Sequence, residues 1–413
     1  MPENWPDSRR PDSRHPDADR AAQTHPAPPT DVIVVGAGPV GLTVALALGE
    51  AGKSVIVLER RPAVRATSRA IGITPASLEI LQRYGMADEL IAAGLPVRRA
   101  IIHGDRQTVA TPGFDAIRSP FPFILTLPQR HTEEILAARI ERLPTVHIVR
   151  GAAVTAIEEH DHGVTAWYSA DETSSVTGRF LCGCDGKRST VRNYVTDTWH
   201  GRRLRETFAM ADITDDTDLE DAAHLYFTRE GSVESFPLPG GIRRWIVETD
   251  QWYADAPAGL VQELVARRTG TELSCSPEHW RSSFHTERFR VTHWHRGRTI
   301  LAGDAAHVMP PIGGQGMNVG LGDAEHLADL LIESLDDSSH FAEGAARYTS
   351  RRRRAFDVAA RRSILGMKIG AARGVIRSHL RSWAIRNTVR GAAANWVMEH
   401  FAMIASPFRR SPG

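Results

Sequence analysis

A chain of 413 residues exceeds the usual size of one compact domain, so two domains, or one domain with a large insertion, are expected. Its 42% hydrophobic and 24% charged residues are ordinary for a globular protein, and a formal net charge of +1 excludes a surface built as an electrostatic trap for nucleic acid. Three cysteines, Cys182, Cys184 and Cys275, are too few for a disulfide scaffold and lack a Cys-x-x-Cys spacing, so the expected compartment is a reducing cytoplasm. No stretch approaches the roughly 18 continuous apolar residues of a membrane span, and the N-terminus has Pro and Asp where a secretory signal needs an apolar run.

Residues 1–30 hold seven prolines among mixed charges and read as a disordered leader, because they cannot offset the entropy of ordering. Order is expected from Asp31, where the apolar run Val32 to Val35 meets a glycine turn, a helical stretch and a second apolar run, Val55 to Leu58. That pattern is a βαβ unit. Helices follow in "TPASLEILQRYGMADELIAAG", with Thr74 as N-cap and Pro75 in the first turn, and in "RHTEEILAARIERL", with Thr132 as cap. Val146 to Phe180 alternates in strand fashion. From about Val195 to Val291 the pieces "HLYFT", "SVESFPL" and "RRWIVE" read as short strands, with one helix in "GLVQELVARR".

Everything after Asp323 is helical in pattern, and from Ala346 onward fourteen Arg and one Lys face one Asp and one Glu. Arg373, Arg377 and Arg381 recur at helical spacing beside Ile376, Leu380 and Trp383. Such a face is either solvated or suited to an acidic membrane surface or partner, and the first is the commoner outcome.

Three motifs carry chemistry. In Gly36-Ala37-Gly38-Pro39-Val40-Gly41, between strand and helix, Gly36 permits a tight turn, Gly38 lets backbone approach a pyrophosphate, and Gly41 lets helix and strand pack closely. Glu59, eighteen residues further on, ends the second strand where an acidic residue accepts from a ribose hydroxyl. This implies a dinucleotide without saying which. The second motif is "CDGKRSTVR", from Cys184 to Arg192. The third, "TILAGDAAHVMPPIGGQGMN", is a buried strand ending at Gly303-Asp304, followed by a loop of exposed amides and a helix starting near Met317.

In this order the three blocks resemble the class A flavin monooxygenases, the para-hydroxybenzoate hydroxylase type of aromatic hydroxylase, across roughly residues 31–330. The resemblance implies an α/β fold: a Rossmann-like FAD-binding domain, an interleaved β-sheet substrate domain and a C-terminal helical segment. The expected division is 31–195 and 292–335 for the FAD-binding domain, the first part including some substrate-domain strands, 196–291 for the β-rich substrate domain, and 336–413 for a basic helical segment. By resemblance, Gly36, Gly38, Pro39, Val40, Gly41, Glu59 and Arg60 would hold the ADP half of FAD. Arg69 and Gln129 would reach the pyrophosphate and ribityl regions, and Asp304 the ribityl hydroxyls. Pro311, Gly314, Gly316, Met317 and Asn318 would line the flavin ring. Asp185, Arg188 and Arg192, in a block that contributes to FAD and NAD(P)H binding in the family, are weaker candidates.

The implied activity is that of an NAD(P)H-dependent hydroxylase or epoxidase, inserting one atom of O2 into an aromatic or polyketide-like small molecule through a flavin C4a-hydroperoxide, in secondary metabolism or aromatic degradation. No side chain is named as catalytic, because the cofactor carries the hard step, and the choice between NADH and NADPH stays open. The competing readings are an FAD oxidase or dehydrogenase and a non-redox binding or cyclase protein on the same scaffold. In the β-rich segment His224, Tyr226, Phe236, Pro237 and Trp245 are the substrate-facing candidates. His307 is expected to be structural, and His293 and His295, with no carboxylate or thiolate at ligand spacing, to hold no metal. Membrane contact through the basic tail is not favoured, and oligomeric state is not read.

Overall fold

The computed structural model describes residues 30–65, 70–105, 107–170, 172–273, 275–311, 313–370, 374–388, 398–399 and 402–404, the side chains of 375–377 and 388 excepted. The expectations for residues 1–29, Arg69 and Arg373, and for the side chains of Ile376 and Arg377, lie outside the described residues.

The βαβ unit consists of the strand Thr30–Val35, the helix Pro39–Glu50 and the strand Val55–Glu59, with the two strands parallel. The helix is apolar all round because it lies between a sheet and a second long helix, Gln315–Asp336, and is buried at ten of its twelve positions. Five strands run parallel in the order Thr299–Leu301, Thr173–Gly183, Thr30–Val35, Val55–Glu59 and Val146–Arg150. From Thr30–Val35 the chain first builds outward on one side and later returns to the other. The carboxyl ends beside that strand therefore flank a topological switch point, where open α/β sheets hold ligands.

The second sheet, of eight strands among the described residues, follows the order His307–Val308, Glu278–Arg290, His200–Thr214, Ile242–Thr249, Gly231–Leu238, Ala223–Thr228, Ala100–His103 and Thr108–Ala110. The short strands expected between 223 and 249 are present, as is the helix Leu260–Thr269. The two longest strands, His200–Thr214 and Glu278–Arg290, escape a reading by hydrophobic alternation, since they pair polar half to polar half, with Arg203 bonded to Glu287 at 3.2 Å. One face of this sheet packs on Leu260–Thr269 through Tyr226, Val233, Trp245, Val247 and Leu264. The opposite face looks toward the parallel sheet.

Thr132 is not a cap: its helix runs Gln129–Ile140, capped by Pro128, and Thr132 is buried within it. Thr74 does precede Pro75–Gln82, yet its hydroxyl bonds Asn318 Oδ1 (3.2 Å) rather than an amide of its own helix. The basic C-terminal stretch forms the helices Phe341–Gly370 and Val375–Thr388, and two of its arginines turn inward. Arg352 is fully buried against Asp323, and Arg381 donates to the carbonyls of Gly370 (3.2 Å) and Phe227. Leu380 and Trp383 are exposed, and among the described residues no helix is long and apolar enough to cross a membrane.

Candidate active site

A cavity of about 1030 Å³ opens where the carboxyl ends of the parallel strands face the second sheet. Its first end is built by backbone. Gly36 has φ +105°, and a Cβ there would lie 2.5 Å from the Cys184 carbonyl oxygen, so the turn requires glycine. A Cβ on Gly41 would lie 2.0 Å from the Gly36 carbonyl oxygen, so Gly41 serves packing and does not line the cavity. A Cβ on Gly38 would meet nothing within 4 Å: this position opens onto the cavity, beside Pro39 and Val40. The helix that starts at Pro39 has no side-chain cap and no acidic residue in its first turn, and so presents free amides and the positive end of its dipole to an anion.

At the end of the second strand Glu59 is buried. Its carboxylate accepts from the Ala37 amide (2.8 Å) and from the Arg61 amide (2.9 Å) and Nε (2.8 Å). Burial works against ionisation, but the bonds from Arg61 and Ala37 outweigh it and hold Glu59 below the usual carboxylate range. Gln129 donates to Glu133 (2.7 Å), whose carboxyl burial pushes up. Arg60 is exposed at the rim, whereas Arg61 reaches Glu59 and lies 4.0 Å from Glu133. Sequence reasoning missed both: Arg61 meets Glu59 only two residues back along the chain, and Glu133 joins them through tertiary contact.

The third motif supplies a second uncapped helix N-terminus. Gly314, in the left-handed region at φ +65°, leads into Gln315–Asp336 with no side-chain cap and no acid in the first turn. Pro311, Gly313, Gly314, Gly316 and Met317 line the cavity. Asn318 does not: its Oδ1 accepts from the Thr74 amide (2.9 Å), and its Nδ2 donates to the carbonyls of Gly72 (2.9 Å) and Gly314 (2.7 Å), which clamps the loop to the strand Gly72–Ile73. Asp304 lies open to the cavity but deep in the protein, and that depth raises its carboxyl above the ordinary value, with His307 and Lys187 opposing.

Behind this loop Asp323, fully buried, accepts from the Gly303 amide (3.0 Å), His307 Nε2 (2.7 Å) and Arg352 Nε (2.6 Å). His307 is thus part of the scaffold that sets the Gly303-Asp304 turn. Among the described residues no group of three His, Cys, Asp or Glu side chains could hold a metal ion.

Asp185 reaches the cavity wall, but its oxygens accept from the Ser189 hydroxyl and the amides of Thr190 (2.7 Å) and Val191 (3.2 Å), tying down the turn into Thr190–Val195. Burial raises its carboxyl, with those bonds opposing. Arg188 lines the cavity. Arg192 does not; it donates to the carbonyls of Lys187 (2.9 Å) and Ala305 (3.3 Å) and stacks on Trp199.

The far end of the cavity is the open face of the second sheet, lined by Leu225, Glu234, Phe236, Ile246, Trp280 and Phe284 among others. Of the five substrate-facing candidates only Phe236 is there. His224, Tyr226 and Trp245 occupy the opposite parity and face the other layer, and Pro237 meets Thr126 through its carbonyl (2.7 Å). His224 stacks with His103 and bonds it at 3.0 Å, and burial pushes its imidazole down to about 4. Successive strand residues point to opposite faces, so choosing bulky residues without the register puts them on the wrong side.

The fold and this site define a dinucleotide-binding type of α/β protein: a βαβ glycine turn and a second uncapped helix N-terminus open onto one cavity, at the switch point where such sheets hold ligands. The uncapped amides, the open Gly38 and the Glu59 position all match FAD. The family described as an FAD binding domain matches residues 29–363, and this chain belongs to it. It is 36% identical over 314 residues to 6-methylpretetramide 4-monooxygenase of Streptomyces rimosus, a match covering 73% of this chain and 55% of that protein. The chain thus spans little more than half the length of that relative. Among solved structures it is similar to p-nitrophenol 4-monooxygenase PnpA of Pseudomonas putida DLL-E4 (TM-score 0.82, 25% identity, 91% of this chain and 97% of that one). It is also similar to the Diels-Alderase PyrE3 of pyrroindomycin biosynthesis (TM-score 0.75, 26% identity, 90% of this chain and 80% of that one).

Proposed function

We propose that the protein is an NAD(P)H-dependent FAD monooxygenase that inserts one oxygen atom of O2 into an aromatic or polyketide-like small molecule. One observation carries this reading: a single cavity has two uncapped helix N-termini at one end and an apolar, aromatic sheet face at the other. FAD, when bound, supplies hydride acceptance and oxygen activation. The protein's part is to hold and orient. Gly36, Gly38 and the amides after Pro39 receive the pyrophosphate, Glu59 and Arg61 set the ribose end, and Asp304 offers an acceptor to the ribityl chain. Pro311, Gly314 and Met317 line the cavity where they would hold the ring. Phe236, Trp280 and Phe284 hold a flat substrate against it and keep water from the reacting end.

The relatives named for monooxygenation of a tetracycline precursor and of a nitrophenol support this reading. The likeness to a Diels-Alderase favours a second one, a cyclase that keeps the cavity without redox turnover. Anaerobic mixing of the FAD-loaded protein with NADPH or NADH, followed by isotopically labelled oxygen and a panel of phenols and polycyclic aromatics, separates the two. Bleaching of the flavin and incorporation of one labelled atom into a product is the expected result. A flavin that neither nicotinamide reduces, even with the panel present, refutes the monooxygenase reading and favours the cyclase.

A further inference from the structure

Glu234 stands out on the aromatic wall. It lies in the strand Gly231–Leu238, opposite Leu225 on one neighbouring strand and Ile246 on the other. Its residue exposure is 8%, it lines the cavity, and its carboxyl has no hydrogen-bond or ion-pair partner among the described residues. Its oxygens open to the cavity with no protein group bonded to them among the described residues, so a polar group of a cavity occupant can complete them.

The charged groups on the same face are committed elsewhere. Arg244 pairs with Asp212 (2.6 Å) and lies over Trp280. Glu248 accepts from the Ser232 amide (3.1 Å), and Arg268, from the helix Leu260–Thr269 on the other face, donates to the Glu248 carbonyl (2.6 Å). At the sheet's far end Arg381 is bonded to backbone carbonyls and Asp105 to Ser378 (2.6 Å). Lys187 pairs with Glu287, and Asp304 belongs to the opposite wall. Around Glu234 itself are Leu225, Phe236 and Ile246, a setting for a flat apolar molecule bearing one hydroxyl.

We propose that Glu234 is a catalytic residue that receives the hydroxyl of a phenolic substrate and takes its proton. The substrate O–H bond breaks, the proton moves to a Glu234 carboxylate oxygen, and the electron pair stays on the phenolate oxygen, where it enriches the ring for attack on an electrophile. The carboxylic acid then returns the proton to solvent through the cavity mouth. Burial alone pushes this carboxyl up to about 7, which leaves it able to exchange a proton near neutral pH.

This assignment rests on the aromatic-substrate reading above but not on redox turnover, so it is tested on oxidised, FAD-loaded full-length protein by binding alone. The probes are 4-nitrophenol, 2-naphthol and 1,8-dihydroxyanthraquinone, each beside its methyl ether, titrated by their perturbation of the flavin spectrum. Wild-type protein is expected to prefer at least one phenol over its ether by about ten- to hundredfold, the worth of a hydrogen bond to a charged group. Glu234→Gln should abolish the pH dependence of that preference and shrink it severalfold while leaving ether and FAD binding in place, and Glu234→Asp should regain part of it. In the wild type alone, infrared difference spectra should show a carboxyl band changing on phenol binding. An unchanged phenol-to-ether ratio in Glu234→Gln, no carboxyl band change, or no phenol bound by wild type overturns the assignment. None of these results depends on whether NAD(P)H reduces the flavin.

Discussion

Asp323 offers a sharp test of how the Gly303-Asp304 turn at the cavity is held. In Asp323→Asn the volume is conserved, but the charge opposite Arg352 disappears and an amide NH2 replaces one of two acceptor oxygens. Those oxygens serve Gly303 and His307 on one side and Arg352 on the other. Arg352 is about 1% exposed, so its guanidinium is left buried without its counter-charge. Breaking a buried pair in this way costs about 3–5 kcal/mol. Urea unfolding at pH 7 measures it, with the denaturant slope checked for constancy. Arg352→Met in the same background should recover much of the loss, since an apolar side chain of similar length removes the stranded charge. The sign of the pH dependence follows from the carboxyl itself. Burial alone would raise it, yet His307 and Arg352 outweigh burial and hold it below the usual value. Its contribution is therefore fully present above the unfolded carboxylate's pKa, roughly 4, and is lost as pH falls through the depressed folded value. Asp323→Asn should lack that acid-side loss. A variant within about 1 kcal/mol of wild type at pH 7 would refute the reasoning, because removing the counter-charge of a buried guanidinium costs more than that.

The glycines of the first turn separate fold from ligand. Gly38→Ala, with open space around the added methyl, should leave apoprotein stability within about 0.5 kcal/mol while weakening FAD binding in a fluorescence titration; Gly41→Ala, which meets a carbonyl oxygen at 2.0 Å, should destabilise the apoprotein itself. Glu234, raised by burial, binds a proton in the folded state where the unfolded chain has lost it, so wild-type stability should fall as pH rises from about 4.5 to about 7 and level off above. Glu234→Gln should remove that slope and be more stable by up to about 3 kcal/mol at pH 8, measured by denaturant midpoints, and a parallel slope in both proteins would refute it. Phe236→Ala should weaken binding of aromatic probes with a modest stability loss, whereas Trp245→Ala, fully buried against the helix layer, should cost about 3–5 kcal/mol in stability and leave probe affinity of the folded protein unchanged.

The local parts of this protein are legible along the chain. A glycine turn between two β-branched runs and a Gly-Asp strand end before a proline and glycine loop are determined by backbone conformation and helix polarity within a few dozen residues. Gly36, Gly38 and Glu59, read from the glycine turn, and Gln129, Asp304, Pro311, Gly314, Gly316 and Met317, expected only by resemblance, all line one cavity. Contact across the chain decided the rest. Asn318 belongs to the loop motif but clamps it to Gly72 and Thr74, 244 residues away for the latter, and Arg192 in the second motif braces the Ala305 carbonyl, 113 residues away. The inward turn of Arg352 and Arg381 could not be read from a basic helical stripe, because a stripe names a face and not what covers it.

The aromatic wall shows the same limit most plainly. Its residues are separated from their neighbours on the opposite layer by one position, so Phe236 faces the cavity while Trp245 and Tyr226 face away, and only the pairing register between strands determines which parity is inward. Glu234, in the middle of an apolar strand, is an ordinary polar interruption until the register turns it into the cavity. The sequence alone thus determines the βαβ glycine turn and the Gly-Asp strand end, where conformation follows from backbone geometry over short spans. The tertiary structure decides the other end, because which face of each strand lines the cavity depends on pairing register, which has no local signature.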